Sequence, residues 1–365
     1  MEGSEGEREP TGTGGSAASP AVRWLRALLV VILFLFAVRL LGAATQALSP
    51  FLTDHLPSLV GGPIAAVGLG WLATYVLLNG SVVAALGLSL YASGVLPLEQ
   101  AFLVLAGSRL GASAFVILMG ALDHLKHRRR SLRESLGLGL LTLIVTHTLY
   151  LPATAAGYLL LRQLPPATVA ALGADSLGLP SLQVLSGLTS GIADLLGPGL
   201  AFGVALLLLI VSLQLFDRLL EAVDVDGLRD RWFGHLDNRW ISYLLGTGVT
   251  TVTASVSFSI GVVVPLYNRR WIGPDRITPY VMGASLGTLA DTLLVALVLG
   301  TTLGTGTVVL MAVVVAAVTA VALMAYDAYR ALVVGGLEWV TGDRRTFAWA
   351  ACGLLAAPVL LLLLG

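Results

Sequence analysis

The chain has 365 residues, of which 56% are hydrophobic and 12% charged, and its mean hydropathy is +0.89. That composition excludes an ordinary soluble domain and points to a polytopic α-helical membrane protein. Its 21 basic and 21 acidic residues cancel, so no global field favours nucleic acid, and the single cysteine, Cys352, excludes an intrachain disulfide framework or a thiolate metal cluster.

Residues 1–20 are polar and rich in Gly, Ser and Pro, which predicts a disordered tail ahead of a single transmembrane domain over 21–365. Seven apolar stretches then approach the roughly 20 residues that a bilayer core demands: 22–48, 100–122, 135–161, 197–217, 277–299, 304–326 and 346–364. The first has Arg23 and Arg26 in front and small residues behind, as a signal peptide does, but its apolar length favours a retained helix. Basic clusters at Arg23/Arg26, 124–133, 217–240 and Arg330 with Arg344/Arg345 belong on the cytoplasmic side, the N-terminus with them. Segments 49–58 and 163–196 contain no Lys or Arg and belong outside; within them, 168–196 reads as amphipathic, with Gln183 and Asp194 on a solvated face. The loop 124–133 is suited to anionic headgroups of the lipid bilayer. A multi-pass protein of the plasma membrane follows from this topology.

Two further apolar segments, 59–92 and 241–267, carry a polar interruption in the middle and fall short of the roughly 40 residues needed for two crossings. A single crossing of 241–267 would put the three arginines of "NRRWIGPDR" (268–276) outside, whereas a re-entrant hairpin keeps them inside. By the same reasoning 59–92 enters from outside and returns there. Residues 70–118 also match 246–294 without a gap at an offset of 176. Gly70/Gly246, Thr74/Thr250, Ser81/Ser257, Tyr91/Tyr267, Gly107/Gly283 and Gly111/Gly287 are among the identities. The repeats, at 60–122 and 240–300, therefore have opposite orientation, and inverted repeats with broken helices are the recurring architecture of secondary transporters.

The second hairpin carries "TTVTASVSFS" (250–259), in which six of ten side chains bear a hydroxyl. Its alternation resembles a β-strand, and Ser/Thr also bind helices together by hydrogen bonds. At a hairpin tip, however, the same hydroxyls and the backbone that leaves the helix can replace an ion's hydration shell or bind an oxyanion.

The doubled pattern resembles the type II sodium/phosphate cotransporters, whose repeats each carry a G-x-x-x-T-x-x-x-Q-S-S-S tip followed by a G-A-N-I-G-T-T helix start. Gly70 and Thr74 match in the first copy, where the remaining positions read "LNGS" (78–81) and "GSRLGAS" (107–113). Gly246 and Thr250 match in the second, followed by "ASVS" (254–257) and "GASLGTL" (283–289). The resemblance implies an all-α polytopic carrier with two inverted repeats, each bearing a re-entrant hairpin, among about seven membrane helices. It implies symport of phosphate with Na+ as coupling ion, no catalysis, and a possible homodimer. The family's glutamines and asparagines are replaced here, which leaves open a changed ion such as the proton, a changed substrate, or a membrane sensor or scaffold that does not transport.

The candidate substrate ligands are Asn79, Ser81, Arg109, Ser255 and Ser257; candidates for ion binding or coupling are Thr250, Thr253, Ser285, Thr288 and Asp291. Arg109 lies near mid-membrane, at the position of the family's motif asparagine, at an insertion cost of roughly 2.5–3.5 kcal/mol. Its fork suits an oxyanion clamp, or a partner role toward Asp291, and a fixed positive charge there would repel sodium. His147 is a second buried titratable group, read either as a helix–helix contact or as a proton relay. No zinc-protease, phosphate-loop or nucleophile motif stands at a plausible depth.

Overall fold

Apolar runs punctuated by Pro, Gly and Asn set where the helices of this chain begin and end. The computed structural model describes residues 20–126, 132–173, 181–220, 236–268 and 271–365, and among them there is no strand. Fifteen helices follow in order among these residues: α1 Pro20–Leu59, α2 Pro63–Leu77, α3 Gly80–Ala92, α4 Leu98–Lys126, α5 Leu132–Gln163, α6 Pro166–Leu172, α7 Ser181–Leu196, α8 Pro198–Leu220, α9 Arg239–Thr253, α10 Val256–Asn268, α11 Pro274–Gly287, α12 Leu289–Leu299, α13 Thr302–Met324, α14 Tyr326–Gly342 and α15 Arg344–Leu364. Proline opens α2, α6 and α11, where its missing N–H is no loss. Asn79 and Asn238 cap α3 and α9 by accepting two backbone N–H bonds each.

Six helical stretches among the described residues are long and apolar enough to cross a membrane: Trp24–Leu56, Gly137–Gln163, Pro198–Leu220, Pro274–Leu299, Thr302–Met324 and Arg345–Leu364. The described residues form an all-α membrane bundle with these six spans. The seventh expected stretch, 100–122, forms α4 but is not one of the six; Ser108, Arg109 and Ser113 lie within it, and residues 101–111 are buried against neighbouring helices. The first helix also runs past the expected end at residue 48 to Leu59, through Pro50. Segment 163–196 holds α6 and α7, with Asp194 exposed as expected. Residues 1–19 of the tail expected over 1–20, the centre of the basic loop at 127–131 and the side chain of Gln183 lie outside the described residues, and Pro20 already begins α1.

The segments 59–92 and 241–267 are each two short helices joined at a break. Leu78 (φ 52°) and Ala254 (φ 47°) supply the breaks, and they are the two non-glycine residues at positive φ among the described residues. They stand 176 positions apart. At about 1.5 Å per residue, α2 and α9 are roughly 22 Å long, short of a bilayer core.

Matching positions make matching contacts. A Cβ on Gly70 would overlap the Val104 carbonyl, and one on Gly246 the Tyr280 carbonyl; Gly107 and Gly283 meet the carbonyls of Val67 and Tyr243 in the same way. A Cβ on Gly111 would lie 2.8 Å from the Trp71 carbonyl oxygen, and one on Gly287 2.6 Å from that of Thr247. Only glycine permits backbones to approach this closely, so α2 lies tightly along α4 and α9 along α11. Gln100 Nε2 donates to the Val60 carbonyl at 3.5 Å while Thr74 meets Ser108 and Gly111, so α2 runs parallel to α4. Gly80 faces Ser108 and Ala112 whereas Gly87 faces Val104 and Ala101, so α3 runs antiparallel to it.

Ion pairs gather one end of the bundle. Asp237 and Arg276 approach to 3.0 Å and Arg330 and Asp275 to 2.7 Å, bringing together the starts of α9, α11 and α14. At the other end, α6 lies against the start of α13 and Phe102 of α4 against Gly157 of α5. The 23 residues of α13, about 35 Å of helix, connect the two.

Candidate functional site

Both helix breaks open into one cavity of about 330 Å³. Leu77–Ser81 form one part of its wall and Ala254–Ser257 another; Arg109 and Ser113 of α4, Thr142, Thr146 and Tyr150 of α5, and Ser285, Thr288 and Asp291 from the α11–α12 junction add to the polar lining. Gln214 and Asp217 lie where the cavity meets the C-terminal part of α8.

The first tip is built around Asn79. Its Oδ1 accepts from the N–H groups of Ser81 at 2.9 Å and Val82 at 3.0 Å, so part of a residue expected to hold substrate is occupied in starting α3. Ser255, at the matching position, does the same for α10 by accepting from the Phe258 N–H at 3.1 Å. Ser81 reaches across the cavity and donates to Asp291 Oδ2. Its counterpart Ser257 stays exposed in the wall.

Arg109 joins the two units. Its Nη1 donates to the Thr288 hydroxyl at 2.9 Å and the Thr288 carbonyl at 3.3 Å; its Nη2 donates to the Thr292 hydroxyl and stands 3.5 Å from Asp291 Oδ1. Thr292 in turn donates to Asp291 Oδ1 at 2.9 Å. The side chains of Arg109 and Asp291 are only 2% and 4% exposed. In this structure Arg109 is the partner of Asp291: both terminal nitrogens are bonded to protein oxygens and only Nε lacks a partner.

Eight of the ten expected residues thus meet at one place. Thr250 and Thr253 do not line it: Thr253 donates to the Val249 carbonyl at 2.7 Å, and the buried Thr250 hydroxyl has no partner. Ser285 lines the cavity but donates to the Val281 carbonyl at 2.9 Å, and its own carbonyl accepts from Tyr150 at 2.7 Å. His147 is outside the lining; Nδ1 bonds the Leu143 carbonyl at 2.9 Å and the ring packs 5.1 Å from that of Trp71, centroid to centroid, as a helix contact. Thr292 and Tyr150 escaped the sequence reading. Thr292 lies one turn beyond Thr288 and so shares its helix face, which was the available signal. Arg39, within the first span and with a buried, unpartnered Nε, was also missed, although an arginine at such a depth is a signal by itself.

No group of three His, Cys, Asp or Glu able to hold a metal ion occurs among the described residues. The Na+/Pi-cotransporter family model matches residues 33–182 and 208–339. No curated protein and no solved structure is similar enough to match. The family transports rather than catalyses. A match of this extent, running through both broken-helix units and the residues of the cavity between them, makes this chain a member of the Na+/Pi-cotransporter family.

Proposed function

We propose that this membrane transporter is a secondary symporter that moves phosphate together with sodium by alternating access. The observation that carries the reading is the convergence of both helix breaks on one cavity. There α3 and α10 present their N-terminal, positive ends, which favour an oxyanion, while α2 and α9 present C-terminal carbonyls, which favour a cation. Ser257 and the amide of Asn79 are the side chains best placed to orient the anion, with Arg109 held nearby by Asp291.

In this reading α2–α3 and α9–α10 are re-entrant hairpins of two inverted repeats. The antiparallel course of α2 and α3, the equivalent glycine contacts and the location of 237 and 275 at the opposite end from the α4 start support it. The two hairpin-bearing units would move against the remaining helices, exposing the cavity first to one side and then to the other.

Radiolabelled phosphate uptake into proteoliposomes of the full chain tests the proposal, with an inward sodium gradient, a proton gradient, or neither. Sodium-driven uptake that is lost in Ser255→Ala and Arg109→Ala supports it. Proton-driven uptake transfers coupling to Asp291, the carboxylate in the wall that pairs with Arg109. Folded protein that takes up no phosphate under any gradient overturns the substrate.

A further inference from the structure

The oxygens around Arg109 form the kind of cage that a hard cation takes. One backbone carbonyl, two hydroxyls and a carboxylate, all from residues 288–292, converge on its guanidinium. Carbonyl, hydroxyl and carboxylate oxygens are the donors that suit hard cations, and the carboxylate alone gives the cage a full negative charge. Such a charge cannot remain buried without a positive partner. Water does not supply one, because Arg109 and Asp291 are almost fully buried although the cavity beside them is open. Ser81, from the other unit, donates to the remaining Asp291 oxygen, so both carboxylate oxygens are engaged.

We propose that Arg109 is a tethered cation that permanently fills this cage, so that residues 288–292 bind no sodium in this chain. Position 285, the counterpart of 109 in the second unit, is a serine, so the second unit places no built-in cation in the cavity. Any coupling sodium must then be held elsewhere in the cavity, on the side of the second tip. The inference rests on the carrier reading for the use of the cavity, but it is tested by ion binding in the absence of transport.

The experiment counts bound radioactive sodium at equilibrium on the purified full chain, with potassium or choline holding ionic strength constant. Arg109→Ala opens the cage and is expected to bind one more sodium per chain than the parent; the extra ion disappears in Arg109→Ala/Asp291→Asn. Arg109→Gln/Asp291→Asn removes both charges with little change in shape and is expected to bind as many sodium ions as the parent. An unchanged count in folded Arg109→Ala, an extra ion that survives loss of Asp291, or a sodium lost in the neutral double variant overturns the proposal. Should Arg109→Ala fail to fold, the neutral double variant decides alone. Phosphate uptake can fail while these counts hold, and the reverse, so the two readings fall separately.

Discussion

Arg109 and Asp291 show how a pair of charges is tolerated at a depth where either alone would be costly. Their mutual attraction offsets desolvation only because Thr288, Thr292 and Ser81 satisfy the donors and acceptors that the pair leaves over. Breaking the pair from one side leaves an uncompensated buried charge. Asp291→Asn is therefore expected to destabilise the protein by about 3–5 kcal/mol, seen as a large fall in the thermal midpoint in detergent. Arg109→Gln/Asp291→Asn should recover most of that loss. A double variant as unstable as the single one would show that the attraction is not what matters. Thr292→Val should lower stability by about 1.5–3 kcal/mol, the range for a hydrogen bond to a charged group.

At the scale of elements, small residues decide where helices may touch and where they stop. Gly246 and Gly283 bring α9 against α11 as Gly70 and Gly107 bring α2 against α4. Gly246→Ala must push a carbonyl aside and is expected to cost about 1–3 kcal/mol, whereas Gly261→Ala in α10, with open space around it, should be neutral or stabilising by up to about 1 kcal/mol. Equal effects at the two sites on thermal unfolding would contradict the close-packing account. The tip residues depend on backbone shape instead. Ala254 holds a left-handed conformation at φ 47°, so Ala254→Val, with a branched Cβ, is expected to lose about 1–2 kcal/mol while Ala254→Gly is tolerated.

For the whole molecule, the position of the cavity mouth is the testable feature. Gln214, exposed in the cavity wall, and Asp217 lie in the C-terminal part of α8, so the mouth is expected there, at the end that the basic cluster 217–240 is expected to hold in the cytoplasm. Cys352 is exposed, so labelling requires a Cys352→Ser background. Ser257→Cys in that background should react with a membrane-impermeant maleimide from the cytoplasmic side, and phosphate with sodium should slow the reaction. Labelling confined to the opposite side would place the mouth at the wrong end. Alternating access requires both sides to react in turn once substrate is cycling.

Much of this was legible without coordinates, because apolar length and the placement of arginines follow from the cost of burying polar groups in lipid. The interrupted segments 59–92 and 241–267, the 176-residue repeat and the burial of a charge at Arg109 were all read from residue order. Glycine identities at 70/246 and 107/283 marked the repeat, but their use as helix contacts appeared only when the partner carbonyls were in place. The sequence likewise offered hydroxyls at 255 and 257 for the substrate and at 250 and 253 for the ion. Helical rotation around the break at Ala254 turns 255 and 257 to the cavity and leaves 250 and 253 inside α9. Which of two roles Arg109 takes depends on atoms 179 to 183 residues away, at Thr288, Asp291 and Thr292. Local chemistry determined that this chain enters a membrane and carries a buried charge there; the folding of one unit against the other decided what that charge is bonded to, since hydrogen bonds act only at contact distance.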